Sequence, residues 1–225
     1  LNLLTLLCAL PLIALFVMRY MLKTVDIAIY PFTQNIGLGY PVYPSTGGLE
    51  AQLALSVNVE FFKYVIIGVV FLAAGISGGF YVMRNMVWAE GVMIAADFWK
   101  GIKQNYFVVF FSLLFYTVIM ALSVISLNMS SVLLATGNGI RWLMIAAQIF
   151  TYLVMSIATL MVLYMITLGV TYKLSFGKLL RNSFILSIAL IPTNIFFAVF
   201  SAVWFLLLYF GTFMPLILII ALILV

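Results

Sequence analysis

Along the chain, uncharged apolar stretches alternate with short connections that hold most of the charge. Residues 64–83 and 106–127 contain no Asp, Glu, Lys, Arg or His. An apolar helix of roughly twenty residues, rising about 1.5 Å each, matches the roughly 30 Å hydrocarbon core of a bilayer. Lipid offers the backbone no hydrogen-bond partner, so spanning segments must be helices or strands of a closed barrel. Period-two alternation is absent, which selects helices. The pattern predicts six apolar segments, at about 3–22, 64–83, 106–127, 142–172, 183–210 and 212–225. Pro11 is a kink candidate in the first. The fourth is longer than a perpendicular span needs and should tilt or project into water. The last is too short to cross, so it either continues beyond Val225 or extends the fifth through Gly211 and Pro215. Leu1 in place of Met, and the apolar end at Val225, predict that the chain continues past both ends.

Orientation follows from the basic residues near the span ends. The second-to-third connection carries Arg84, Lys100 and Lys103, and the fourth-to-fifth carries Lys173, Lys178 and Arg181. These connections share a side if the third and fourth segments each cross once, and the positive-inside rule makes that side cytoplasmic. The N-terminus is then cytoplasmic, and Arg19, Lys23, Lys63 and Arg141 lie opposite. On that outer side the connection 24–59 is long for a compact bundle, which marks a functional or disordered loop. It holds Tyr30-Pro31, Tyr40-Pro41 and Tyr43-Pro44, with turn signals at Gly37, Gly39, Gly47 and Gly48. Its later part, 48–60, can form a short helix leading into the second span. The tyrosines could stack a sugar or sit at the membrane interface as anchors or a lid.

Two basic segments echo one another. Residues 97–106 (Asp-Phe-Trp-Lys-Gly-Ile-Lys-Gln-Asn-Tyr) align without gaps to 175–184 (Ser-Phe-Gly-Lys-Leu-Leu-Arg-Asn-Ser-Phe). Asp97 and Ser175 are good helix N-caps. Phe98 and Ile102, like Phe176 and Leu180, share a face, while Lys100, Lys103, Lys178 and Arg181 project elsewhere. The echo predicts two short amphipathic cytoplasmic helices and a parallel internal repeat, an organisation known among transport proteins. Its competitor is that any interfacial amphipathic helix combines aromatic anchors with basic residues.

Composition narrows the chemistry. Hydrophobic residues make up 67% and charged residues 7%, against roughly 45–50% and about 25% in soluble domains, so one all-α membrane domain accounts for the 225 residues. Cys8 is the sole cysteine, which excludes an internal disulfide, and the absence of histidine removes His triads, the usual zinc sites and histidine proton relays. The acids Asp26, Glu50, Glu60, Glu90 and Asp97 lie in connections or near span ends, not at mid-membrane where carriers commonly place a carboxylate. A carrier using backbone carbonyls at broken helices remains open. The net charge of +5 is scattered, which argues against nucleic acid and for anionic headgroups. No cofactor motif is present.

The opening Leu1-Asn2-Leu3-Leu4-Thr5-Leu6-Leu7-Cys8-Ala9-Leu10-Pro11, the stretch Ala74-Gly75-Ile76-Ser77-Gly78-Gly79 ahead of Arg84-Asn85, and segment 97–106 resemble the YesL-like family of bacterial membrane proteins. Segment order agrees along most of the chain, but the long Tyr-Pro connection departs from the shorter link expected there. The resemblance implies a six-helix protein of the bacterial cell (inner) membrane without established activity, often encoded beside carbohydrate-uptake and polysaccharide-degradation systems. It brings no catalytic residues.

Several residues remain as candidates. Gly68, Gly75 and Gly79 suit close helix packing, either within the bundle or at a dimer seam. Pro192, Thr193 and Asn194 in the fifth span could line a cavity beside a freed carbonyl or form a structural kink. Trp99, Lys100, Lys103, Lys178 and Arg181 form the proposed headgroup or partner surface. Glu90-Gly91 with Asp97 and Gly101 is similar to the ATPase-docking loop of ABC-transporter permeases, although the Glu-Ala-Ala start and the expected proline are missing. Otherwise Glu90 and Asp97 cap helices or pair with Arg84 and Lys100. The leading expectation is a non-enzymatic transport component, or an accessory of a carbohydrate-uptake system whose partner would be an ABC-type sugar transporter. The alternatives are a membrane enzyme acting on lipid-linked substrates, for which no acid–base cluster is visible, and a structural protein that assembles with itself through the glycines.

Overall fold

The computed structural model describes residues 1–34, 48–88, 91–172, 174–197 and 199–200, and within these the side chains of all but 23–34, 48–51 and 53. Every regular element among them is helical: α1 (Asn2–Gln34), α2 (Gly48–Val87), α3 (Ile94–Ala135), α4 (Arg141–Thr171), α5 (Phe176–Ala189) and a short α6 (Ile191–Phe197). Segments of α1 to α4 are long and apolar enough to cross a membrane, and α5 with α6 would make a fifth span bent by 78°.

The helices overrun their apolar segments. At 40 and 42 residues, α2 and α3 are about twice the length that the hydrocarbon core requires. The predicted outer connection 24–59 is accordingly helical at both ends, against expectation at 24–34 and as expected from Gly48 onward. The first chain segment stays helical to Gln34, through Tyr30-Pro31, and the helix beginning at Gly48 runs unbroken into the second span. The other two Tyr-Pro pairs lie outside the described residues, as do the predicted span 212–225 and residues 201–210 of the fifth. The two amphipathic helices are not separate elements either. Residues 97–106 are early turns of α3, and 176–184 belong to the continuous α5.

Helix α2 lies at the centre, packed against α1, α3 and α4, with α5 on the far side of α4. The core joins Val69, Ala73 and Tyr81 of α2 to Val109 and Leu113 of α3 and Val162, Ile166 and Val170 of α4. Beside these apolar residues, buried Ser77, Ser112, Ser183 and Ser187 face inward while many Phe, Leu, Ile and Trp side chains face outward. That is the reverse of a water-soluble core, and it suits lipid, where small polar residues join helices and large apolar ones meet acyl chains. The buried hydroxyls of Ser112 and Thr151 donate to the carbonyl four residues back, both at 2.7 Å, which satisfies them inside their own helix.

Close approach depends on glycine. A Cβ at Gly68, Gly75 or Gly79 would stand 2.7–2.9 Å from Leu12, Cys8 or Thr5 of α1. The opposite side of α2 approaches α3 as closely. A Cβ at Gly78 would meet the Phe98 ring at 2.7 Å, and one at Gly101 would meet Tyr81 Cβ at 2.5 Å. The α3–α4 turn closes through Gly137 at φ 72, with Gly137 N–H donating to Leu134 and Asn138 N–H to Leu133. These two bonds cap the last turn of α3 through a left-handed residue that favours glycine.

Candidate functional site

Antiparallel packing gathers the α2–α3 and α4–α5 connections at one end of the bundle. Arg84 at the end of α2 makes the link, its Nη1 donating to the Val170 carbonyl in the last turn of α4 at 3.2 Å. Its Nε and Nη2 both donate to Asn85 Oδ1, at 3.3 and 3.0 Å. The guanidinium lies 4.4 Å from the Tyr81 ring centroid and 5.7 Å from that of Trp88. Lys100 brings its ammonium to 5.8 Å from the same Tyr81 ring. The sequence marks Arg84 for topology and as a partner for Glu90 or Asp97; Asp97 instead accepts the Met93 N–H, and Glu90 lies outside the described residues. The role of Arg84 in the site depends on which helix end packs beside it.

The predicted surface residues lie at this end but do not all converge. Trp99 is exposed and meets the edge of the buried Phe98 ring. Lys100, Lys103, Lys178 and Arg181 are exposed. Asp97 is not the N-cap of α3; Met93 holds that position. Instead Asp97 Oδ2 accepts the Met93 N–H at 2.9 Å, so the carboxylate satisfies a free donor of the first turn from inside the helix. Ser175 does cap α5, but its side chain makes no capping bond. The echoed faces also differ: Phe98 is 2% exposed whereas Phe176 is 44% exposed. In segment 175–184, Leu179 is the buried residue against Gly169 of α4.

A second candidate lies at the break between α5 and α6. Pro192 and Thr193 are exposed. Asn194 is half-buried, and its Oδ1 accepts from Tyr164 Oη of α4 at 2.7 Å while its Nδ2 donates to the Ser187 carbonyl at 3.2 Å. Ser187 in turn donates to the Ser183 carbonyl at 2.7 Å. Ser183 is fully buried and its hydroxyl has no partner. Pro192 falls in the first turn of α6, where a missing N–H breaks no helical bond. The result is a polar seam along α4–α5 that ends at a backbone break.

At the other end, Arg19 donates to buried Asn58 Oδ1 at 2.7 Å and lies over Phe61, which fixes α1 on α2. Glu60 and Lys63 form an exposed ion pair. An open depression of about 660 Å³ separates the end of α3 from the start of α4, lined by Ser131, Gly137, Gly139 and Arg141 among others. Among the described residues no cluster of three metal-ligating side chains occurs. No protein-family model, curated protein or solved structure matches the chain.

Proposed function

We propose that this chain is a non-enzymatic multi-pass membrane protein that works as a transport component for a neutral, hydroxyl-rich solute of the carbohydrate class. The observation that carries the reading is the 78° break after α5. Helix α5 has 14 residues, a rise of about 21 Å, less than the roughly 30 Å core. A break at that depth leaves backbone polar groups that are tolerated only against protein or a polar cavity, the arrangement in which discontinuous transporter helices bind their cargo. The Ser183 hydroxyl is free among the described residues, and the Ser187, Asn194 and Tyr164 groups, which pair within the seam, carry no formal charge, so a solute that exchanged with those bonds would be a sugar sooner than an ion. The sequence resemblance to the YesL-like family and the company its members keep point the same way. The basic end faces the bacterial cytoplasm in this reading, with the N-terminus on that side.

The test is uptake into vesicles reconstituted with the full chain, measured by counterflow of labelled mono- and disaccharides. Uptake above protein-free vesicles is expected, with loss in Asn194→Leu. Folded, correctly inserted protein that moves none of these solutes would sink autonomous transport.

A second reading, an accessory of a carbohydrate-uptake system such as an ABC-type sugar transporter, is favoured by the exposed Trp99, Lys100 and Lys103. Charge reversal at both lysines should then abolish co-purification of a partner from a mild-detergent extract without unfolding the chain. Unchanged co-purification would remove this surface.

A further inference from the structure

We propose that Arg84 and Lys100, held beside the Tyr81 ring, form a seat for the phosphodiester of an anionic lipid headgroup. Among the described residues Arg84 is oriented by neutral groups: the Asn85 side chain, the Val170 carbonyl and two aromatic rings. Of five guanidinium N–H groups these bonds use three, so two remain to meet an acceptor. Lys100 adds a second, exposed cation near the same ring. Among the described residues neither cation has a carboxylate within ion-pair distance, and Asp97, the nearest acid along α3, is turned onto the Met93 N–H. The α4 carbonyl end offers only partial negative charge to Arg84. Two cations centred 4.4 and 5.8 Å from one ring centroid repel each other, and an anion that met both would relieve that repulsion. Fork-like Arg donors match phosphate oxygens, while Lys serves as a point charge.

The surroundings favour lipid over a soluble phosphate. Met83, Met86 and Val87 next to Arg84 are exposed apolar side chains, as is Trp88 with its indole. Exposed apolar side chains on both sides of a cation in the last turn of α2 suit the headgroup boundary of a bilayer, the level that tryptophan favours. The inference rests on the chain lying in a membrane. It does not require the transport reading.

The experiment uses the purified full chain in a neutral detergent and follows thermal unfolding as lipid is titrated in. Phosphatidylglycerol should raise the melting temperature, phosphatidylcholine should do so less, and inorganic phosphate should have no effect. K100Q, which removes no packing, should leave the lipid-free melting temperature unchanged and weaken the apparent affinity for phosphatidylglycerol about fivefold, the equivalent of about 1 kcal/mol per surface cation. R84Q should weaken it further, and K178Q should leave it unchanged. Equal weakening by K100Q and K178Q would reduce the effect to diffuse charge and overturn the seat. A response to inorganic phosphate equal to that of phosphatidylglycerol would overturn the lipid assignment. A chain that stays monodisperse in buffer without detergent would instead remove the membrane premise, a failure separable from either.

Discussion

Asn105 and Ser183 hold the same place in the two matching decapeptides, and each buries a polar side-chain atom with no hydrogen-bond partner. Nδ2 of Asn105 and Oγ of Ser183 are the two such atoms among the described residues. An unpaired buried hydroxyl costs about 1–3 kcal/mol. Ser183→Ala should therefore leave stability unchanged or raise it by about 1 kcal/mol in detergent unfolding, while lowering solute uptake in vesicles. A stability loss above about 1 kcal/mol would mean that Ser183 already holds a partner in the resting protein.

Gly75 sets the distance between α1 and α2. Its hypothetical Cβ falls 2.7 Å from Cys8 Cβ and 3.2 Å from the Thr5 carbonyl, so Gly75→Leu must push α1 away. A loss of about 1–3 kcal/mol is expected from overpacking. Because α1 occupies this face, the oligomer size read by light scattering should not change. A shift in size at preserved fold would show that the glycines serve a seam between copies.

Tyr164 and Asn194 brace the break. Removing either partner leaves the other polar group unpaired, so Tyr164→Phe and Asn194→Leu should each cost about 1–3 kcal/mol. In a double-mutant cycle the pair should couple by at least about 0.5 kcal/mol. Strict additivity would show that the bend holds without this bond.

Phe98 and Phe176 look equivalent in the alignment but not in the fold. Phe98 packs on Gly78 with almost no exposure, so Phe98→Ala should cost about 3–5 kcal/mol. Phe176→Ala, at an exposed position touching Phe111, should cost well under half of that. Equal losses in chemical unfolding would restore the symmetry that the repeat implies.

The sequence by itself determined the helical class and marked the apolar stretches that lie within α1 to α4, because charge is costly in hydrocarbon wherever it lies in the chain. It also marked Gly68, Gly75 and Gly79 as close-packing positions, since only a missing side chain permits such approach. Tertiary structure decided which helix each glycine meets, α1 on one side of α2 and α3 on the side of Gly78. The neighbours of Arg84 were likewise invisible along the chain: Asn85 is adjacent in sequence, but Val170 lies 86 residues away and arrives only when α4 packs home. Helix ends were the least legible, because Asp97 can satisfy the first turn of α3 from within as well as from the cap. The break after Ala189 carried a proline signal, yet its 78° angle and the Asn194 brace depend on Tyr164 of a neighbouring helix. Local chemistry chose the elements, and long-range packing chose which polar groups were left to do something.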